Sequence, residues 1–276
     1  MTPLIIIQSR MGSARFPGKV LAPLCGQPML LWQLLRLTMV PGCDVVVATP
    51  QGEDNAPLWR LLDTHGYLWM APEVAEDDVL GRFYEVARRF PTETILRVTG
   101  DTPLLDPVVV QSCLAVYQSI AAPPDALKHV GIAAQWPDGQ DVEVFSMAGL
   151  AAAQQYAADP SDREHVTPWL WRSNPRVISG LLACPLALPS HQYSVDTRDD
   201  LALVERLLHA VLATAGIGFS WLDVYRACLA DRSLLHAMQH RTPRNQAYVT
   251  QVGASSWEEA RYRPHTPSTI TAHLEG

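Results

Sequence analysis

Basic residues are scarce in this sequence of 276 residues, in which 21 Lys and Arg stand against 28 Asp and Glu. The formal net charge of −7 argues against general nucleic-acid binding, which requires a basic face, although it is compatible with a locally basic pocket. Cysteine is also scarce, and no two of the five positions have zinc-knuckle or redox spacing. We therefore expect reduced thiols, as in a cytosolic protein, at Cys25, Cys43, Cys113, Cys184 and Cys228.

Long hydrophobic runs are missing as well. No apolar stretch reaches the roughly 20 residues that a transmembrane helix needs. The N-terminus also lacks the basic region and apolar helix of a signal peptide. We therefore expect a cytoplasmic protein without a membrane partner. Because 48% of the residues are hydrophobic, a sizeable core can still form, and the length suits one large α/β domain, with or without a small appendage.

The most informative stretch is a cationic loop near the N-terminus. Residues 4–7 form an apolar run that predicts a buried strand. Arg10, Arg15 and Lys19 follow within ten residues. Backbone N–H groups and three cations on such a loop suit an anion such as phosphate. The loop follows the first strand, at the edge where open α/β sheets bind ligands, so we favour this function over a solvated turn.

This loop is not a Walker A motif. Five residues separate Gly12 from Gly18, where that motif has four, and Val20 follows the lysine in place of Ser or Thr. No hydroxyl is therefore placed here to hold Mg²⁺, and carboxylates elsewhere must supply any metal ligands.

The alternation of strand and helix patterns predicts an α/β fold with a mostly parallel, doubly wound sheet. After the first strand we expect strands at 44–49, 67–70 and 94–99, and helices at 28–37, 56–65, 77–89 and 107–117. A small mixed β/α subregion then follows, with strands at 127–130, 141–145, 177–184 and 191–195, a helix at 146–157 and a linker at 159–162. Helices at 197–212, 221–230 and 231–240 form a helical C-terminal part. From 241 the chain is polar and proline-interrupted, with one short helical pattern at 256–260.

Two aspartates are candidates for binding Mg²⁺, which takes one or two carboxylates plus substrate phosphates. Asp101 follows the predicted strand 94–99 within Gly-Asp-Thr-Pro, residues that also make turns without any function. Asp196 precedes a predicted helix, but Thr197 is itself a good N-cap, which leaves Asp196 available.

The remaining candidates have equally plausible structural roles. Asp78 and Arg82 are spaced for an ordinary helical ion pair at the start of a helix. Asp141 and Glu143 share one face of a predicted strand, which could simply be a solvent-facing edge. Five histidines show no paired metal-ligand spacing, so we treat them as ordinary: His65, His129, His191, His209 and His236.

Four motifs together resemble those of the sugar cytidylyltransferases. They are Gln-Ser-Arg-Met-Gly-Ser-Ala-Arg-Phe-Pro-Gly-Lys at 8–19, Glu-Asp-Asp-Val-Leu-x-Arg at 76–82, Gly-Asp-x-Pro at 100–103 and Val-Asp-Thr-x-x-Asp-Leu at 195–201. The segment Arg-Glu-His-Val-Thr-Pro at 163–168 is similar too. The branch most alike is the spore-coat polysaccharide biosynthesis F-type group, related to acylneuraminate and 3-deoxy-manno-octulosonate cytidylyltransferases. Ser9 and Phe16 are mild departures, since the family usually has Ala and Leu there.

This resemblance implies a nucleotide-diphospho-sugar transferase fold of the GT-A-like kind, over residues 1–240, followed by a polar C-terminal extension at 241–276. It implies an enzyme that joins CMP from CTP to a sugar, expected to be acidic, in surface polysaccharide or glycoconjugate precursor synthesis, with Mg²⁺ as cofactor. A homodimer is the oligomer considered. The nucleotide-binding residues implied are Gln8, Arg10, Gly12, Ser13, Arg15, Lys19, Asp78 and Arg82. The sugar-binding residues are Asp141, Glu143, Glu164 and His165, the metal ligands Asp101 and Asp196, and the catalytic residues Arg10, Lys19 and Asp101.

Two alternatives stay open at this point. A nucleotide-sugar-dependent glycosyltransferase has the same kind of sheet, but its usual Asp-x-Asp motif is absent, because Thr102 and Pro103 follow Asp101. A non-catalytic nucleotide-binding partner of a sugar-modification complex would not need both Asp101 and Asp196.

Overall fold

A computed structural model describes residues 1–239, apart from 124, 134, 173, 175, 187, 189 and 190, together with the backbone of 270–273. Its strands are β1 (Leu4–Gln8), β2 (Pro23–Leu24), β3 (Gln27–Pro28), β4 (Asp44–Ala48), β5 (Trp69–Met70), β6 (Thr94–Thr99), β7 (Lys128–Ile132), β8 (Glu143–Ser146), β9 (Ile178–Ala183) and β10 (Ile270–His273). Its helices are α1 (Met29–Leu37), α2 (Ala56–Thr64), α3 (Val79–Ala87), α4 (Pro107–Ser119), α5 (Met147–Tyr156), α6 (Pro160–His165), α7 (Pro168–Arg172), α8 (Arg198–Ala215), α9 (Trp221–Ala230) and α10 (Arg232–Gln239).

One eight-stranded sheet organises these elements, in the order β10-β9-β7-β8-β6-β1-β4-β5. Helices α1, α2, α4 and α8 pack on one face, and α3 and α5 pack on the other. Strand β1 lies near the middle with Leu4 to Ile7 fully buried, as expected for a parallel strand covered on both faces. The predicted doubly wound sheet is confirmed.

Strand β8 is the exception to the parallel arrangement. It runs antiparallel to both β6 and β7, while the other pairs of this sheet are parallel. This reversal sets Glu143 directly opposite Arg97 of β6. The predicted change to a mixed subregion after the first half of the chain is therefore confirmed.

Two local predictions in this subregion are wrong. Residues 191–195 form no strand but only an isolated bridge between Gln192 and Asp138, because their backbone bonds to loops: the Val195 N–H donates to the Asp101 carbonyl at 2.9 Å. Residues 159–162 are not a linker. They begin α6, which Asp159 caps by accepting a hydrogen bond from the Ser161 N–H at 2.8 Å.

Helix α8 begins with the predicted N-cap. The Thr197 hydroxyl accepts from the Asp200 N–H, and the Asp200 carboxylate accepts in return from the Thr197 N–H, which makes a capping box. The segment Arg198–Gly218 is long and apolar enough to cross a membrane by length and composition alone. Four of its apolar side chains are buried in the core beside the sheet, as in an amphipathic surface helix: Val204, Leu207, Leu208 and Val211.

Arg36 of α1 ties the sheet layer to the C-terminal helices. Its guanidinium donates to the carbonyls of Leu105, Ile217 and Phe219 at 3.1, 2.8 and 2.9 Å, and it lies 3.5 Å from the centre of the Phe219 ring. Burial lowers the pKa of Arg36 to about 10, so it stays charged at neutral pH.

In the C-terminal extension, β10 pairs in parallel with β9, although the sequence indicated no strand there. The helical pattern at 256–260 lies outside the described residues. The division into a domain at 1–240 and an extension at 241–276 stays a prediction.

Candidate active site

A cavity of about 350 Å³ opens at the carboxyl ends of β1 and β6. Strand order reverses between these two strands, which is where open α/β sheets bind ligands. Of the predicted site residues, only Asp78 is not part of its lining. Those that line it are Gln8, Arg10, Gly12, Ser13, Arg15, Lys19, Arg82, Asp101, Asp141, Glu143, Glu164, His165 and Asp196.

Two glycines shape the backbone beside this cavity. Gly18 adopts a left-handed backbone with φ 73°, and its N–H donates to the Met11 carbonyl at 2.9 Å, which closes the cationic loop. At Gly100, a Cβ would lie 2.9 Å from the Ser9 Oγ, so only glycine lets the ends of β1 and β6 approach this closely. These contacts place the loop and Asp101 at one edge of the sheet.

Lys19 connects the two predicted metal ligands. Its ammonium donates to Asp101 Oδ2 at 2.9 Å, to Asp196 Oδ1 at 3.0 Å and to the Val195 carbonyl at 2.7 Å. An ammonium has three N–H donors. All three are therefore used within the protein. The Lys19 side chain is only 12% exposed, so these bonds are poorly screened by water.

The other two loop cations also meet carboxylates. Arg15 Nη2 lies 2.9 Å from Asp196 Oδ2, and Arg10 Nη1 lies 3.2 Å from Glu76 Oε1. Both arginines line the cavity, as does Ser13. We call Arg15, Lys19, Asp101 and Asp196 the Lys19 cluster. A triphosphate entering it would replace carboxylate partners of the cations rather than meet bare charges.

The donor set of the Lys19 cluster fits Mg²⁺. Two carboxylates converge on one cation, and Mg²⁺ commonly takes one or two carboxylates while substrate phosphates and water complete its shell. Within the described part of the chain, no group of three His, Cys, Asp or Glu side chains is arranged to hold a metal ion. A metal here would therefore depend on the substrate for its remaining ligands.

Asp78 has a structural role in this arrangement. It caps α3 by accepting from the Gly81 N–H at 2.9 Å, and it forms a two-point ion pair with Arg163 at 2.9 and 2.8 Å. The alternative of a helical ion pair with Arg82 is wrong, because Arg163 takes that place. A nucleotide contact by Asp78 stays a prediction.

Arg82 itself lines the cavity and is 2% exposed. It donates to the Glu76 carbonyl at 2.6 Å. Burial, and then the charge of Arg10, lowers its pKa to about 10, so it too is charged at neutral pH.

The second group of lining residues surrounds Glu143, which is 5% exposed rather than solvent-facing. Its carboxylate accepts from Arg97 Nη1 at 2.6 Å and from the Thr167 hydroxyl at 2.7 Å, and lies 3.2 Å from His129 Nε2. Burial alone would raise the pKa of Glu143, but the His129 hydrogen bond and the Arg97 charge outweigh it and hold the pKa at about 2. The alternative of an exposed strand edge is wrong.

Arg97 is a lining residue that the sequence did not reveal. Its Nε also donates to the Gln8 side chain at 3.0 Å, so partners on both neighbouring strands hold its guanidinium. The only sequence signal was a charged residue inside a predicted buried strand. We call Arg97, Glu143, His129 and Thr167 the Arg97 cluster.

His165, which lines the same cavity, precedes a strained turn. Val166 has φ 73° and ψ −58°, and the Thr167 N–H donates to the His165 carbonyl at 2.9 Å, as in a γ-turn. A β-branched residue rarely adopts this conformation. Burial, and then the nearby Arg97 charge, lowers the pKa of His165, so its imidazole is neutral at pH 7. Directly after this turn, the Thr167 hydroxyl donates to Glu143 Oε1 at 2.7 Å.

Known proteins are similar to this chain in sequence. The sequence profile described as "Cytidylyltransferase" matches residues 4–180. An uncharacterized protein of Methanocaldococcus jannaschii is 30% identical over 203 residues, which cover 72% of this chain and 79% of that protein. The spore coat polysaccharide biosynthesis protein SpsF of Bacillus subtilis is 28% identical over 74% of this chain and 85% of its own length. The 3-deoxy-manno-octulosonate cytidylyltransferase of Saccharophagus degradans is 31% identical, but the match covers only 43% of this chain and 46% of that enzyme.

Solved structures agree on the fold. A cytidylyltransferase from Leptospira borgpetersenii superposes with a TM-score of 0.78 at 21% identity, over 88% of this chain and 98% of its own. A CMP:2-keto-3-deoxy-manno-octonic acid synthetase complexed with CTP superposes with a TM-score of 0.56 at 19% identity, over 76% and 99%. Because the matched profile spans well over half of the sequence, and the cavity lies where the motifs converge, this chain belongs to the cytidylyltransferase family of nucleotidyltransferases.

Proposed function

We propose that this protein transfers CMP from CTP to an acidic sugar and releases pyrophosphate. The observation that carries this proposal is the Lys19 cluster, in which the cationic loop meets the two predicted metal ligands at one edge of the sheet. Family membership supports the nucleotide. The sugar is supported by SpsF and the octulosonate enzymes, whose names describe polysaccharide and sugar-acid chemistry.

In this reaction a sugar hydroxyl attacks the α-phosphorus and pyrophosphate leaves. The phosphoryl group carries the charge in the transition state, so the protein contributes positioning and charge stabilisation rather than a covalent intermediate. Arg10, Arg15 and Lys19 would hold the triphosphate, with loop backbone N–H groups. Arg82 would lie beside the base.

Asp101 and Asp196 would hold Mg²⁺, and the ion would neutralise phosphate charge in the bound complex. To donate to a phosphate, Lys19 must give up at least one of its three acceptors, Asp101, Asp196 or the Val195 carbonyl, because all three of its N–H donors are engaged within the protein. Where Lys19 gives up a carboxylate, that carboxylate becomes available to the metal, so we infer that metal and triphosphate bind together.

The experiment that tests this proposal screens the four nucleoside triphosphates against a panel of sugars with Mg²⁺ and measures pyrophosphate. We expect pyrophosphate with CTP and a sugar acid. Calorimetry should show tighter CTP binding with Mg²⁺ than with EDTA. Release of a nucleoside diphosphate from a nucleotide-sugar would instead favour a glycosyltransferase, and nucleotide binding without turnover on any sugar would favour the non-catalytic alternative.

We also propose a cytoplasmic location, in line with the five free cysteines of the described chain. Homodimerisation stays a prediction that sedimentation can test.

A further inference from the structure

Arg97 is a cation held firmly among acidic residues of the cavity, apart from the Lys19 cluster. It comes from the central strand β6, directly opposite Glu143 of β8. Hydrogen bonds to Gln8 and Glu143 fix its guanidinium from both sides. Groups held on strands are positioned more precisely than groups on loops. The Arg97 side chain is 14% exposed, so it is largely shielded yet still reaches the cavity.

The donors of Arg97 are only partly used. A guanidinium has five N–H donors, and the described residues engage Nε and one position on Nη1. In contrast, both carboxylate oxygens of Glu143 already have partners. Arg97 donates to one oxygen, and His129 and Thr167 contact the other. A ligand in this part of the cavity therefore meets the donors of Arg97 before it meets the carboxylate of Glu143.

We propose that Arg97 determines substrate specificity by binding the carboxylate of the acceptor sugar, and that Glu143, predicted to contact the sugar, is instead the residue that positions Arg97. This inference rests on the proposed function and adds the group that selects an acid. Because Glu143 offsets the charge of Arg97, net charge alone does not select an acidic sugar here. The selection depends on geometry, since one edge of the guanidinium can donate to both oxygens of a planar carboxylate.

The location of Arg97 favours a sugar carboxylate over a phosphate. Arg97 lies three residues before Gly100, about 10 Å along the strand. The loop cations Arg15 and Lys19 gather beyond that point, around Asp101 and Asp196, while Arg10 pairs with Glu76. Asp141 and Glu164, which also line the cavity, are carboxylates and would not themselves bind an anion. Among the described lining residues of β6, β8 and α6, Arg97 is thus the cation available to a sugar acid.

The test compares each of two sugar acids, 3-deoxy-manno-octulosonate and N-acetylneuraminate, with its neutral methyl ester. Binding is measured by calorimetry with saturating CDP and Mg²⁺. We expect the parent protein to bind one acid at least about tenfold more tightly than its ester, the equivalent of one charge-assisted hydrogen bond. Arg97→Gln should bring this ratio close to one while CTP affinity changes less than about twofold, since the triphosphate cations are intact.

Three further variants separate recognition from folding. Arg97→Gln combined with Glu143→Gln removes both charges, so that no unpaired carboxylate stays buried, and should also lose the preference for the acid. Arg97→Lys keeps the positive charge but lacks the planar pair of donors. Its ratio of acid affinity to ester affinity should therefore lie between those of the parent and Arg97→Gln. Arg172→Gln breaks another shielded ion pair, with Asp162, outside the cavity lining, and should keep the parental ratio. Thermal melts confirm that each variant is folded.

Equal affinity for acid and ester in the parent, or no measurable binding of either acid, overturns this proposal. So does an acid preference that survives in Arg97→Gln, because another residue would then supply it. A loss of CTP affinity in that variant would assign Arg97 to the nucleotide instead. Failure of the proposed function is seen separately, as a parent protein that neither binds CTP nor releases pyrophosphate.

Discussion

Replacing Lys19 by methionine should increase metal affinity in the absence of nucleotide. The ammonium of Lys19 lies 2.9 Å from Asp101 Oδ2 and 3.0 Å from Asp196 Oδ1, so a metal must displace it to use both carboxylates. Methionine has a similar length but no charge, and its substitution leaves the two carboxylates facing each other without that cation. Their repulsion then favours any divalent ion.

The expected increase in metal affinity follows from the hydrogen bonds between Lys19 and the carboxylates, which the variant no longer makes. A hydrogen bond to a charged group contributes about 1.5–3 kcal/mol. If the metal displaces Lys19 from only one carboxylate, the variant avoids the cost of breaking one such bond. At about 1.4 kcal/mol for each factor of ten, its metal affinity is then about 10- to 100-fold higher. The side chains concerned are 8–15% exposed, so solvent screening reduces this value little.

The assay titrates nucleotide-free protein with Mn²⁺ and follows the free ion by electron paramagnetic resonance. Lys128→Met is the matched control, because Lys128 is the other lysine of the sequence and lies on β7, outside the cavity lining. Mn²⁺ should also raise the melting temperature of Lys19→Met more than that of the parent. Equal Mn²⁺ affinity in parent and Lys19→Met would refute the idea that this lysine competes with the metal.

Three further predictions concern other residues. Asp101→Asn should abolish pyrophosphate release with little change in melting temperature, because asparagine keeps an oxygen for Lys19 but lacks the charge that holds Mg²⁺; near-parental turnover would contradict the metal role. Glu143→Gln should lose more free energy of unfolding at pH 7 than at pH 3 in urea titrations. The pKa of Glu143 is held at about 2, so its contribution is present above the ordinary carboxyl range and disappears as the pH falls toward 2. Arg36→Met should lower the free energy of unfolding by about 2–5 kcal/mol, since two buried carbonyls and one partly buried carbonyl lose their donor; a loss under about 1 kcal/mol in chemical denaturation would count against this role.

The sequence predicted the parts of the site that depend on local pattern. An apolar run followed by Gly12, Gly18 and three cations indicates a strand and an anion-binding loop without reference to the rest of the chain. The position of Asp101 could also be predicted from local pattern. Parallel strands that alternate with helices have their carboxyl ends at one edge of the sheet, and Asp101 follows one of these strands. The position of Thr197 just before a predicted helix indicated that it is the N-cap, so Asp196 was available for another role.

The contacts that were missed join distant parts of the chain. The pairing of Arg97 with Glu143 depends on the reversed direction of β8, which alternation of polar and apolar residues does not reveal. Arg163 pairs with Asp78 across 85 residues, so helical spacing pointed to Arg82 instead. Residues 191–195 have the alternation of a strand, but the backbone groups available to pair with them belong to loops.

The separation of Lys19 from Asp196 by 177 residues has a consequence for synthesis of the protein. Strands β1, β4, β5 and β6 all lie within the first 99 residues and can pair as soon as they leave the ribosome. At about 5–20 residues per second, Asp196 is added at least about 5 s after the end of β6. During that interval the nascent chain has its phosphate loop and Asp101 but lacks the second carboxylate. If the loop binds a triphosphate as proposed, a chain at this stage of synthesis has the phosphate-binding loop without the complete pair of proposed metal ligands.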